Sequence, residues 1–120
     1  MVVMMEQILD ELSPDEPDYK KASELGVNAL PHLEILIKTN PLLAAKATYL
    51  ASLIQDERSV SILMLAANSS NREVRVTAAH ASRNLRLEGV NGVLELLKVD
   101  PDEGVRIKAL NSIKVRSEMG

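Results

Sequence analysis

Cysteine, phenylalanine and tryptophan are absent from the 120 residues, and Tyr19 and Tyr49 are the only aromatic side chains. Without cysteine there can be no disulfide, no thiolate zinc site and no thiol nucleophile. This fits a reducing compartment, and a cytoplasmic location is expected. With so few aromatics the core must be built from Leu, Ile, Val, Ala and Met. That composition suits close-packed helices and suits a sheet poorly. Five glycines and five prolines are few enough to sit at helix ends. No apolar run approaches the roughly 20 residues of a membrane span. The opening MVVMMEQILDEL lacks the basic region of a signal peptide. A net charge of −3 gives the chain no general attraction to nucleic acid or anionic membrane.

What is present is periodicity. Val74, Ala78, Ala81 and Leu85 are spaced by four, three and four positions, so they share one helix face. Ser70 and Glu73 have the spacing of a capping box, and Gly89 stands where a left-handed C-cap would need it. The pattern Val74-Arg75-Val76-Thr77-Ala78 returns as Val105-Arg106-Ile107-Lys108-Ala109, and the step from Val74 to Val105 defines a period. A weaker copy stands one period earlier as Leu43-Ala44-Ala45-Lys46-Ala47. Asn40, Asn71 and Asp102 precede the three copies. The intervening segments 31–35, 62–66 and 93–97 repeat as well. Three copies of a two-helix unit in register predict a helical repeat array.

The expected architecture is one all-α domain, 1–120, of about eight helices. Residues 1–26 form atypical N-terminal capping helices, and 27–57, 58–88 and 89–116 are the units. Helices are expected over 2–12, 18–25 (ending at Gly26, with Pro17 in its first turn), 27–38, 41–55 (opening on Pro41), 59–67, 71–86 and 90–99. A last helix should run to about Arg116, with Ser117 to Gly120 frayed. The run Ile62–Ala67 is apolar nearly all round. Either it is covered on both sides or it leaves apolar surface outside.

The motif Asp/Asn-x-x-Val-Arg-x-x-Ala, closing each unit after a Leu-rich helix, resembles HEAT repeats. More narrowly, it resembles the short prokaryotic HEAT-like repeats first associated with phycobilisome lyases. The likeness covers roughly residues 27–116 and departs at Ala44, where Arg is expected. It implies a right-handed α-solenoid of antiparallel helix pairs whose second helices line a concave, protein-binding face. It also implies that Arg75 and Arg106 meet a turn Asp or Asn of a neighbouring repeat. The motif specifies fold better than function.

On the second helices, positions free of packing duty form three rows: Ala45, Val76 and Ile107; Tyr49, His80 and Asn111; Ser52, Arg83 and Lys114. Members of a row are one period apart and lie side by side, at about 8–10 Å for packed helices. The rows tile an apolar edge, a polar middle and a basic edge, read either as a partner-binding surface or as a plain solvated face. The expected contact residues are Tyr49, Val76, His80, Arg83, Ile107, Asn111 and Lys114. His80 and His32 lack neighbouring ligands in sequence and read as partly exposed helix histidines, so neither a metal nor a cofactor is expected.

The expected function is a non-catalytic protein-interaction or scaffold module with another protein as its partner. Apolar residues of the last helix (Ile107, Leu110, Ile113 and Val115) raise self-association as a further possibility. Two alternatives remain. One is an accessory to an enzyme, such as the bilin-lyase proteins that the repeat resembles. The other is nucleic-acid binding through the basic helix 71–86, with Arg72, Arg75, Arg83 and Arg86. The HEAT-like DNA glycosylases that use such a surface add aromatics and a catalytic carboxylate that have no counterpart here.

Overall fold

The computed structural model describes residues 2–119. Among them are eight α-helices and no strand: α1 (Met5–Leu12), α2 (Tyr19–Ser23), α3 (Leu30–Thr39), α4 (Ala44–Ser52), α5 (Glu57–Ala67), α6 (Arg72–Ala81), α7 (Val90–Leu97) and α8 (Glu103–Glu118). Two 3₁₀ segments, Gly26–Ala29 and Ser82–Asn84, lead into α3 and out of α6. The chain is therefore all-helical, as its composition predicts.

Short polar side chains start these helices. Asp18, Asp56, Asn71 and Asp102 each accept a backbone N–H from the first turn of α2, α5, α6 and α8. Such a cap contributes about 1 kcal/mol. The expected Ser70–Glu73 box does not form, because Asn71 takes the capping position and its Oδ1 accepts from Glu73 N at 2.9 Å. Pro41 does not open α4. Asn40 Oδ1 accepts from Leu42 N and Leu43 N, and a turn intervenes before Ala44. Pro17 likewise stays outside α2, which Asp18 caps. Gly26 has φ +72°, the left-handed geometry that ends a helix and favours glycine. Gly89 is right-handed, against expectation, and stands at the start of α7. A Cβ there would lie 3.2 Å from Val60 Cγ1, so the residue lets α7 approach α5 closely. α8 continues through Glu118, past the expected end at Arg116, and Gly120 lies outside the described residues.

The helices make two rows. α3, α5 and α7 pack in sequence along one; α4, α6 and α8 pack along the other, and each helix also meets its chain neighbour across the rows. α1 lies against α3 and α2 against α4. Two clusters of buried aliphatics fill the space between. One centres on Ile8, Leu12, Leu30, Leu33 and Leu50, the other on Leu63, Val74, Leu85, Leu94 and Leu97. Each fully buried Leu contributes about 2 kcal/mol. α5 is enclosed by four helices: Ile62, Leu63, Ala66 and Ala67 are buried, and Met64 and Leu65 are half-buried. The Ile62–Ala67 run is thus covered on both sides. Small buried residues on the second row, among them Thr48, Ser52, Ser82 and Ser112, allow close helix approach. Each hydroxyl is satisfied by a carbonyl: Ala44 O, Tyr49 O, Ala78 O and Ala79 O respectively.

The sequence period reappears in the polar contacts of the turns. Arg75 Nη1 donates to Ser69 O and Ser70 O, and Arg106 Nη1 donates to Asp100 O and Pro101 O, so that each acceptor stands one period from its counterpart. Arg75 also reaches the next unit, with Nε 2.9 Å from Asp100 Oδ2. Arg72 does so at the surface, with Nε 2.7 Å from Asp102 Oδ2. At the opposite turns, Gln55 donates to Asn84 O and accepts from Arg86 N. One unit on, Arg116 donates to Leu85 O and Leu87 O.

Candidate functional site

Packing uses the small-residue faces of α4, α6 and α8. What remains of those helices, with Tyr19 of α2, encloses a groove of about 510 Å³. It brings together Ala45, Tyr49, Val76 and His80, four residues of the first two rows read from the sequence. Tyr19, Lys46, Thr77 and Lys108 complete the lining. Lys46, Thr77 and Lys108 are themselves one period apart, so they form a further row, next in sequence to Ala45, Val76 and Ile107. The signal was in the repeat, but the face is rotated slightly towards this row. Tyr19 could not be placed by register, since α2 lies outside the repeat phase.

The third row does not make a basic edge. Ser52 is buried, and its hydroxyl accepts from Asn84 Nδ2 at 3.0 Å. Arg83 is half-buried, with Nε donating to His80 O at 3.0 Å and Ser112 Oγ at 3.3 Å. Lys114 is exposed. Ile107 and Asn111 are exposed on α8 and lie outside the groove lining.

The groove's aromatic wall is fixed. The rings of Tyr19 and Tyr49 meet edge to face, with centroids 4.7 Å apart and planes at 63°. Burial, then the neighbouring Tyr49, raises the Tyr19 hydroxyl above its ordinary pKa. Lys46 Nζ donates to Leu12 O at 3.1 Å and Pro14 O at 2.6 Å, which ties the end of α1 to α4 and holds the ammonium at the groove. Thr77 Oγ1 donates to Glu73 O. Lys108 is exposed and makes no hydrogen bond or ion pair with a described residue. The imidazole of His80 is also without such a partner. Its pKa is pushed down by burial first, then by the charges of Arg83 and Lys108. No carboxylate lines the groove.

His32 has a structural task that the sequence did not disclose: its Nε2 lies 2.6 Å from Val3 O and anchors the segment before α1. Three of the four arginines of 71–86 are engaged within the fold. Arg72 pairs with Asp102 and Glu73, Arg75 with Asp100, and Arg83 with helix acceptors. Among the described residues no three of His, Asp and Glu are grouped so as to hold a metal ion. No described helix is long and apolar enough to cross a membrane. Compared with protein-family models, curated proteins and solved structures, the chain matches none.

Proposed function

We propose that this chain is a non-catalytic protein-interaction module of the cytoplasm, built as a right-handed HEAT-like solenoid of antiparallel pairs, whose groove on the second helices receives an acidic segment of a partner protein. The observation that carries the reading is the groove's lining: two tyrosines, two ammonium groups and an imidazole, with no carboxylate. Tyrosine supplies large contact area at interfaces, and the opposing charge of an acidic partner steers encounter and fixes register. Lys46 and the tyrosine pair are already held in place, so little ordering opposes binding. Nucleic acid is disfavoured because the basic helix has most of its guanidinium groups engaged. Self-association through α8 is a second reading. Leu110 is 53% exposed, whereas Ala79, at the matching position of the preceding unit, is fully buried. A strict monomer by light scattering from micromolar to near-millimolar concentration would remove it.

The test of the groove is cross-linked capture from native lysate, followed by calorimetry with the identified partner. Tyr49→Ala and Lys108→Glu are each expected to weaken binding at least about tenfold, with the helical circular dichroism signal retained. Binding should tighten as pH is lowered, since an acidic partner favours protonated His80. Unchanged affinity in both folded variants would show that the partner binds elsewhere.

A further inference from the structure

Arg75 defines a slot, and the same slot stands empty one unit earlier. Around Arg75, Nη1 takes the carbonyls of Ser69 and Ser70, Nε takes Asp100 Oδ2, and Asp100 Oδ1 accepts from Asp102 N at 2.9 Å. One period back, those positions are Ala44, Lys38, Thr39, Ser69 and Asn71. The carbonyls of Lys38 and Thr39 accept no hydrogen bond from a described residue. They belong to the last turn of α3, where unpaired carbonyls give the helix end a partial negative charge. Ser69 keeps one of the two tasks of Asp100: its Oγ accepts from Asn71 N at 3.0 Å. The guanidinium is missing, and a cavity of about 330 Å³ lies there, lined by Lys38, Thr39, Asn40, Ala44, Ser69 and Asn71 among others.

We propose that this cavity is a guanidinium-binding site that takes an arginine side chain from a partner protein, independently of the groove. The two unpaired carbonyls reproduce the acceptors that hold Arg75. A guanidinium can reach them while its other N–H groups meet Ser69 Oγ and the hydroxyl of Ser70, for which no bond to a described residue exists. Only one charged residue lines the cavity, Lys38; it is exposed and opposes a cation. Leu42 follows Pro41 at the cavity's edge and is 90% exposed, which gives the chain carrying the arginine an apolar side chain to pack on. This favours a protein source over a free guanidinium compound.

The experiment is a ¹H–¹⁵N NMR titration of the whole chain with three probes: the peptide acetyl-Gly-Arg-Gly-amide, its lysine counterpart, and L-argininamide. Saturable shifts are expected at the amides of Thr39, Asn40 and Ser69 to Asn71, strongest with the arginine peptide. Ser69→Asp restores the missing carboxylate and should tighten binding about tenfold, as a charge-assisted hydrogen bond does. Lys38→Met should tighten it more modestly, and Ala44→Arg should fill the slot and abolish it. Equal binding of the arginine and lysine peptides, or no saturable shift even with Ser69→Asp, would overturn the site. Equal affinity for L-argininamide and the arginine peptide, unmoved by Leu42→Ser, would overturn the assignment to a partner's side chain.

Discussion

The two junctions between successive units share a backbone pattern and differ in what holds them. At the junction of α5 and α6 with α7 and α8, Arg75 and Asp100 are paired with their side chains 18% and 7% exposed. At the junction of α3 and α4 with α5 and α6, the same positions are Ala44 and Ser69, and a cavity of about 330 Å³ remains. Arginine and aspartate are missing together. Either alone would leave a largely buried charge without its partner, so losing both is the less damaging change. The first junction is held without that pair, by Ile62 of α5 in the core with Leu30, Leu33 and Leu50, by Ala44 in the cluster with Leu63 and Val74, and at its far turn by Gln55 with Asn84 and Arg86. The motif's arginine is therefore not required for stacking. Arg75 locks one turn onto the next, whereas Arg106, against expectation, donates to Asp100 O and Pro101 O of its own unit and reaches no turn Asp or Asn of a neighbouring one among the described residues.

That contrast predicts unequal sensitivity. Asp100→Ala should be the most damaging change. It strips Arg75 of its carboxylate and removes the acceptor for Asp102 N, at about 3 kcal/mol. The expected fall in Tm is on the order of 10 °C. Gln55→Ala, a cut at the far turn of the first junction, removes two hydrogen bonds near the surface and should lower stability by about 1 kcal/mol in urea unfolding. If the two substitutions have equal effects, the junctions are not held differently.

The smallest effect should come from His80, which belongs to neither junction lock. Its folded pKa is depressed, chiefly by burial, so the folded chain binds fewer protons than the unfolded one in mildly acid solution. Stability should accordingly fall as pH drops through about 6.5, where the unfolded histidine takes up its proton, and level off once the folded one does too. His80→Gln should flatten that part of a Tm-against-pH curve. An unchanged slope would mean that His80 is solvated in the folded chain.

The repeat pattern carried much of this. It made the helix order and the inward faces of α6 and α8 legible, and the resemblance to HEAT repeats implied the linking task of Arg75. It even marked Ala44 as the position that departs. Helix ends were less legible, because several residues competed for each cap. Asn71 took the place expected of Ser70, and Gly89 serves close packing against Val60 where a left-handed cap was expected. Contacts of side chains with distant carbonyls left no trace in the pattern. Lys46 to Leu12 and Pro14, and His32 to Val3, depend on how α1 and α2 fold back onto the array. For the same reason Tyr19 was missed as a wall of the groove, and Arg83 was read as a free edge residue although Ser112 and His80 engage it.

The most direct test is a double-mutant cycle at the first junction, with Ala44→Arg and Ser69→Asp measured singly and together by urea unfolding. If the two junctions are the same slot, the pair should be more stable than the sum of the singles predicts, by about 1 kcal/mol or more. The sign should match that of the Arg75–Asp100 cycle. Strict additivity, or a pair less stable than the sum, would contradict the claim that the repeat register governs how the units are joined.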